Sequence, residues 1–121
     1  MTVKNYRDLL VWQLGLEVAE EVYRISRGFP KHEVYALASQ MQRAAVSISA
    51  NLAEGHERDS TKDFLRFVAI AQGSRTELET YVFLVQRLSY CEPPELAALL
   101  AKLEELGRML RGLQKSLRAK L

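Results

Sequence analysis

Hydrophobic and polar positions alternate along this chain with a period of three to four residues, which is the period of an α-helix and not of a β-strand. The pattern is interrupted at Gly28-Phe29-Pro30, at Gly55 and at Pro93-Pro94, which divides the chain into four helical segments. Short connections between long helices favour an antiparallel arrangement. The sequence therefore predicts an all-α, up-down-up-down four-helix bundle that forms a single domain over residues 1–121.

The first predicted helix runs from about Asp8 to Gly28 and carries two apolar stripes. One stripe contains Leu9, Trp12, Leu16, Ala19 and Tyr23, and the other contains Val11, Leu14, Val18, Val22, Ile25 and Phe29. Together they cover more of the helix circumference than a single stripe does. Two neighbouring elements are therefore expected to pack against this helix.

The second predicted helix begins at His32 or Glu33 and ends at Glu54, with Gly55 expected as the left-handed residue that follows it. Between Glu33 and Glu54 the only charged residue is Arg43. Its core stripe is Val34, Leu37, Met41, Ala45, Ile48 and Leu52, and small or apolar residues (Ala36, Ser39, Val46, Ala50, Ala53) occupy other sides.

A surface helix normally has a charged side, so the second helix is expected to be covered on nearly every side. We predict a homo-oligomer with helices one and two at or near the interface, and a crowded intramolecular core is the alternative. Gly15 and Gly73, which lie within predicted helices, also indicate close contacts, because glycine costs about 1 kcal/mol against alanine there.

The third and fourth helices have clear starting signals. Ser60 can cap the third helix while Asp63 faces the positive end of its dipole, and Pro93-Pro94 begins the fourth. Leucines in the fourth helix repeat at spacings of three and four, as in a heptad seam. They are Leu96, Leu99, Leu103, Leu106, Leu110, Leu113 and Leu117.

A line of polar residues follows one side of the second helix at spacings of three and four. It contains Gln40, Arg43, Ser47, Asn51 and Glu54. One interpretation is a hydrogen-bonded structural seam, in which Ser47 and Asn51 satisfy one another or meet Ser74 and Glu77 of the third helix, and Arg43 pairs with a carboxylate. The other is a pocket or pore wall that offers the same groups to a ligand.

Composition limits the classes of function. The chain has 121 residues, a net charge of +2 and a single cysteine, Cys91, which cannot form an internal disulfide and fits a reducing cytoplasm. No apolar run is long enough for a membrane span. No metal-ligand spacing, glycine-rich phosphate loop or cofactor motif is present, and neither His32 nor His56 forms the Glu-x-x-His pair of a di-iron bundle. We therefore expect a cytoplasmic protein that is not an enzyme and has no cofactor.

Positive charge is concentrated near the end of the fourth helix. No acidic residue follows Glu105, and the face opposite the leucines carries Arg108, Arg111, Lys115 and Arg118. A second basic group at the start of the third helix is interleaved with acidic residues and consists of Arg58, Lys62 and Arg66. These cations are candidate phosphate contacts. The alternative is that they complement helix dipoles and keep the surface solvated.

Many short motifs, in order and at matching spacing, resemble one bacterial family. They include Tyr6-Arg7-Asp8-Leu9, Val11-Trp12-Gln13, Phe29-Pro30, Gln40, Arg43 to Ile48, Asn51 to Gly55, Arg58, Lys62 to Phe64, Arg66-Phe67, Ala69 to Ala71, Gly73-Ser74 and Glu77 to Thr80. Over about residues 6 to 90 the chain is similar to the 23S rRNA intervening-sequence proteins, whose relatives include accessory variability proteins of diversity-generating retroelements. The fourth helix matches only in its amphipathic character.

The resemblance implies a ring-like homopentamer of four-helix bundles that is not known as an enzyme. Nucleic-acid binding is implied only by the retroelement relatives. A reverse transcriptase is implied as a partner only if the chain belongs to the retroelement branch of the family. Gln42 departs from the family pattern, in which a second basic residue often precedes the equivalent of Arg43. Two hypotheses follow: an oligomeric accessory protein that binds RNA or DNA, and a protein-interaction scaffold.

Overall fold

The computed structural model describes residues 4–121, which form four α-helices and no β-strand. The helices are α1 (Leu10–Ser26), α2 (Leu37–His56), α3 (Thr61–Leu88) and α4 (Pro93–Arg118). The all-α prediction is confirmed for these residues, and the first three residues of the predicted domain lie outside them. No helix in the described part is long and apolar enough to cross a membrane.

Side-chain contacts show that neighbouring helices run antiparallel. Ser26 of α1 bonds Gln42 of α2, while Gly15 packs on Ser49 further along α2. The same reversal joins α2 to α3 and α3 to α4, and α4 returns to α1. Between α2 and α3, Ser47 contacts Ser74 and Gly55 contacts Phe67. Between α3 and α4, Gln72 contacts Gly107 and Arg75 contacts Leu103. Between α4 and α1, Lys102 contacts Glu17 and Glu95 contacts Arg24. The four helices therefore close into the predicted up-down-up-down order.

The core is built from one apolar stripe of each helix. In α4 the predicted leucines are buried, except for Leu113, which is partly buried. In α1 the stripe that begins at Val11 forms the core, whereas in the other stripe Leu16 and Tyr23 are about 40% and 45% exposed. Part of the second stripe of α1 is therefore left uncovered by the chain's own helices.

Two predicted helix starts are confirmed and one is wrong. Ser60 Oγ accepts the Asp63 backbone N–H at 3.0 Å, and Pro93 is the first residue of α4. The second helix begins at Leu37, about four residues later than predicted, because residues 31–33 form a 3-10 turn. Glu33 lies before the helix, where its carboxylate accepts the Leu37 N–H at 3.4 Å, and Val34 is half exposed instead of lying in the core.

The prediction for Gly55 is also wrong. No glycine among the described residues has a positive φ, and α2 continues through Gly55 to His56. The glycine is needed for space, because a Cβ at position 55 would lie 2.5 Å from the Cβ of Phe67. Ser89, at the end of α3, is the residue that adopts the left-handed conformation, with φ of 57°.

Of the two mid-helix glycines, only Gly15 makes the expected close contact. A Cβ there would overlap Ser49 Oγ, which donates a hydrogen bond to the Trp12 carbonyl at 3.0 Å. Gly73 has open space around the position of a Cβ within the described residues. The expectation of a close contact at Gly73 is therefore wrong for the single chain.

Candidate nucleic-acid interface and polar seam

The centre of the predicted polar line is a hydrogen-bonded cluster between α2 and α3. Ser47 Oγ lies 2.8 Å from Ser74 Oγ, and Asn51 Nδ2 donates to the Ser47 hydroxyl at 2.9 Å and to the Ser47 carbonyl at 2.8 Å. All three side chains are half-buried. Hydroxyl and amide groups are thus satisfied within the chain, as the structural interpretation predicted.

The remaining members of the predicted seam lie in solvent. Gln40, Arg43, Glu54 and Glu77 are exposed. Glu54 pairs with Arg58 at 3.5 Å, and Glu77 accepts the Tyr81 hydroxyl at 2.6 Å, a hydrogen bond that raises the pKa of Tyr81. The predicted partner of Arg43 is missing, since no carboxylate of residues 4–121 lies within ion-pair distance of it.

The basic residues of α4 point away from the core, as predicted. Arg108, Arg111, Lys115 and Arg118 are exposed, while the leucines between them face the other helices. Arg108 is engaged by Glu105 at 2.6 Å. The other three cations have no carboxylate within 4 Å in the part of the chain that the structure describes, so they are available to an anionic ligand.

At the start of α3, two arginines are held on one aromatic ring. The guanidinium groups of Arg58 and Arg66 lie 4.9 Å and 4.6 Å from the ring centre of Phe67, in the range of cation–π contacts. Lys62 is exposed and, within residues 4–121, has no ion-pair partner. The ring thus holds two of the three predicted cations.

The fold brings these two basic groups to one end of the molecule, because α3 begins where the antiparallel α4 ends. A cavity of about 320 Å³ lies between them and is called here the end cavity. Its lining includes Arg58, Thr61 and Phe64 near the start of α3, Leu113, Ser116, Leu117 and Lys120 near the end of α4, and Leu9 and His56.

Sequence reasoning missed both the end cavity and Lys120. Lys120 belongs to the same acid-free segment as the predicted α4 stripe, so the absence of acidic residues after Glu105 was the available signal. Leu9 was assigned to an apolar stripe of the first helix, and Phe64 was named only among the motifs of the family resemblance. Nothing in the spacing of residues so distant along the chain places them around one cavity.

A second cavity, of about 500 Å³, lies at the opposite end of the molecule beside Cys91. Burial raises the pKa of the Cys91 thiol, and the nearby Glu95 carboxylate, 3.6 Å from the sulfur, raises it further. A raised pKa disfavours the reactive thiolate. Among residues 4–121 no group of three His, Cys, Asp or Glu side chains is placed to hold a metal ion.

The four antiparallel helices and the cationic end define an all-α protein of the four-helix-bundle class. A family model described as 23S rRNA-intervening sequence protein matches residues 7–112. The chain belongs to this family, and the match extends into α4, further than the resemblance over residues 6 to 90 indicated.

A solved structure supports the fold. It is that of a protein with unknown function from the S23 ribosomal protein family of Bacteroides thetaiotaomicron, with a TM-score of 0.81 and 22% sequence identity. The alignment covers 88% of this chain and 96% of the other. A comparison with curated proteins finds no match.

Proposed function

We propose that this chain is a non-enzymatic, oligomeric protein that binds RNA or DNA by charge at its basic end. The basic end comprises Arg58, Lys62, Arg66, Arg111, Lys115, Arg118 and Lys120. The observation that carries the proposal is that Arg58, before α3, and Lys120, after α4, line the same end cavity, and that the other five cations are exposed on the helix ends beside it. Each cation that neutralises a phosphate releases counterions, which is the main source of affinity in non-specific binding.

Oligomerisation would strengthen such binding. α1 and α2 share a surface of low charge, called here the uncharged face, in which Leu16, Tyr23, Val46 and Ala50 are exposed and Ser39 is half-buried. Arg43 is the cation that borders it. Exposed apolar surface of this kind is typical of a protein interface. A second copy is the partner that the family resemblance implies, as a pentamer, and repeated basic ends on one assembly gain avidity on a single nucleic acid.

The first test is fluorescence anisotropy of labelled structured RNA and duplex DNA at several salt concentrations. The variant Arg111→Ala/Lys115→Ala/Arg118→Ala removes three exposed, unpaired cations from the basic end. We expect the slope of log affinity against log salt to fall by roughly one for each contacting cation lost.

A matched control removes three exposed cations from the opposite half of the molecule, as Arg27→Ala/Lys31→Ala/Arg87→Ala. It changes the net charge by the same amount, so an effect of total charge would weaken binding equally in both variants. An equal loss would contradict binding at the basic end. No binding by the native protein at low salt would contradict the nucleic-acid function itself.

The second candidate function is a protein-interaction scaffold. The observation that favours it is Tyr35, which is about 96% exposed beside the half-exposed Val34 at the corner between α1 and α2. A stoichiometric protein partner that co-purifies after nuclease treatment, and is lost in Tyr35→Ser, would support this role. A reverse transcriptase as that partner would place the protein in the retroelement branch.

A further inference from the structure

We infer that the end cavity receives one unpaired nucleotide of a single-stranded nucleic acid, with the base on its apolar floor and the flanking phosphates at its cationic rim. The inference rests on the proposed function and adds to it the form of nucleic acid that is bound. At about 320 Å³ the cavity lies within the size range of small-molecule pockets.

The floor offers an aromatic ring and aliphatic side chains. Phe64 is half-buried, and Leu9 and Leu113 beside it are partly exposed. The rings of His56 and Phe64 meet edge to face, with centroids 5.7 Å apart and planes at 84°. This contact favours one orientation of the Phe64 ring. Unstacked bases are held on such rings in proteins that bind single strands.

The rim supplies charge and hydrogen-bond donors. Arg58 and Lys120 both line the cavity, one after α2 and the other after α4. Arg58 is positioned by Glu54 at 3.5 Å and by the Phe67 ring, and its guanidinium has further N–H groups for a phosphate. Asp59 is the single acidic residue among the lining residues, so the rim remains cationic.

The neighbouring cations extend this rim along a strand. Lys62 follows the lining residue Thr61, and Arg118 follows the lining residue Leu117. Both side chains are long and exposed, so they would be available to the phosphates that flank a seated nucleotide. Basic grooves combined with aromatic platforms are the common design of single-strand binders.

A duplex cannot use this cavity, because its bases are stacked and paired. A purely cationic surface would favour the duplex, whose two strands give it the higher charge density along its axis. A preference for single strands would therefore indicate binding in the end cavity, whereas a preference for the duplex would indicate charge attraction alone.

The test compares Ser116→Trp, which fills the cavity from its exposed rim, with Ala101→Trp at an exposed position elsewhere on α4. Anisotropy is measured with a single-stranded RNA and with a duplex of the same length. We expect Ser116→Trp to weaken single-strand binding roughly five- to hundredfold, the value of one base stacked on an aromatic ring. The affinity of Ser116→Trp for the duplex should be unchanged. Ala101→Trp should bind both ligands as the native protein does.

A second variant controls for misfolding and for a steric clash introduced by the tryptophan. Phe64→Leu keeps the apolar floor and removes the aromatic ring, and circular dichroism checks that the helices remain. A loss confined to the single strand in both variants supports the inference. Equal single-strand affinity for the native protein, Ser116→Trp and Phe64→Leu would overturn it, even where duplex binding confirms the proposed function.

The last experiment measures competition of a free nucleoside monophosphate with the labelled single strand. Competition by the monophosphate as strong as by the strand would overturn the assignment to a strand and make the cavity a mononucleotide site. Weak or absent competition supports it, since the flanking phosphates then contribute. Failure of the native protein to bind either strand form overturns the proposed function and the inference together.

Discussion

Gly55 shows how one residue sets the distance between two helices. Its missing side chain allows the backbone of α2 to approach Phe67 of α3, and the residue is buried. Both Phe67 and Phe64 border the basic end, so the contact at Gly55 also determines where Arg58 and Arg66 are held. Packing at this position and the placement of charge are therefore linked.

Replacing Gly55 by alanine should destabilise the fold. The new Cβ would lie 2.5 Å from an atom attached to the α3 backbone, so the helices must separate. Overpacking costs about 1–3 kcal/mol, and alanine regains about 1 kcal/mol of helix propensity. We expect a net loss of up to about 2 kcal/mol in the free energy of unfolding, measured by urea denaturation.

Gly112→Ala is the matched control, because position 112 lies within α4 and has open space around it. Here only the helix propensity changes, so we expect a gain of about 0.5–1 kcal/mol. Equal effects of the two substitutions would contradict the close approach at Gly55.

Cys91 gives a prediction about pH. Burial and the Glu95 carboxylate raise the pKa of its thiol, so the folded protein holds the proton at a pH where an unfolded chain has released it. Any stability that this contributes is present below the unfolded pKa and is lost as the pH rises through the folded pKa. The alkylation rate of Cys91 should therefore reach its midpoint at a higher pH than that of a peptide of residues 87–95.

Glu95→Gln tests the cause of the shift at Cys91. The substitution removes the negative charge 3.6 Å from the sulfur and leaves the burial. The midpoint of alkylation should move towards that of the peptide without reaching it, because burial is the larger cause. A midpoint that does not move would show that Glu95 has no influence on the thiol.

At the scale of the element, α3 depends on the capping residue at its first turn. The Ser60 hydroxyl accepts the Asp63 N–H, which otherwise lacks a partner within the helix. Ser60→Ala should cost about 1 kcal/mol of unfolding free energy, and Ser60→Asp should retain most of it. Equal stability of all three proteins in urea denaturation would contradict a capping role.

The elements themselves could largely be predicted from the sequence. Helical periodicity, the Ser60 cap, Pro93 and the leucine repeat of α4 are local signals, and the structure confirms each of them. The start of α2 could not be predicted, since Glu33 is equally suited to a first helical turn and to a capping position before it. The helical role of Gly55 depends on Phe67, which contacts it from another helix.

The candidate site was predictable only in part. The exposed cations of α4 follow from their spacing relative to the buried leucines. Their meeting with Arg58, and the cavity between them, depend on which helix ends are neighbours. That relation depends on the antiparallel packing of α3 on α4, which cannot be deduced from the charge pattern of either helix alone.

At the scale of the whole molecule, the uncharged face provides a test of assembly. Val46 is about 46% exposed, so a charged side chain at this position is easily solvated in a monomer but not within an interface. We expect Val46→Glu to reduce the mass measured by light scattering coupled to size-exclusion chromatography.

Ala98→Glu, at an exposed position of α4, is the control for the added charge and should leave the mass unchanged. A native protein that elutes as a monomer would refute the proposed oligomer. A native oligomer that is unaffected by Val46→Glu would show that another surface forms the interface.

The gathering of cations at one end also makes the molecule electrically asymmetric along its length. The seven cations of the basic end and the four carboxylates interleaved with them (Glu54, Glu57, Asp59 and Asp63) sum to +3, so the rest of the chain, whose total is +2, carries −1. At the opposite end the carboxylates of Glu33, Glu92 and Glu95 are offset by Arg24, Arg27, Lys31 and Arg87, so that end carries little net charge. In the field of a polyanion such a dipole experiences a torque. Each subunit would therefore be turned during diffusion, and its basic end would arrive first.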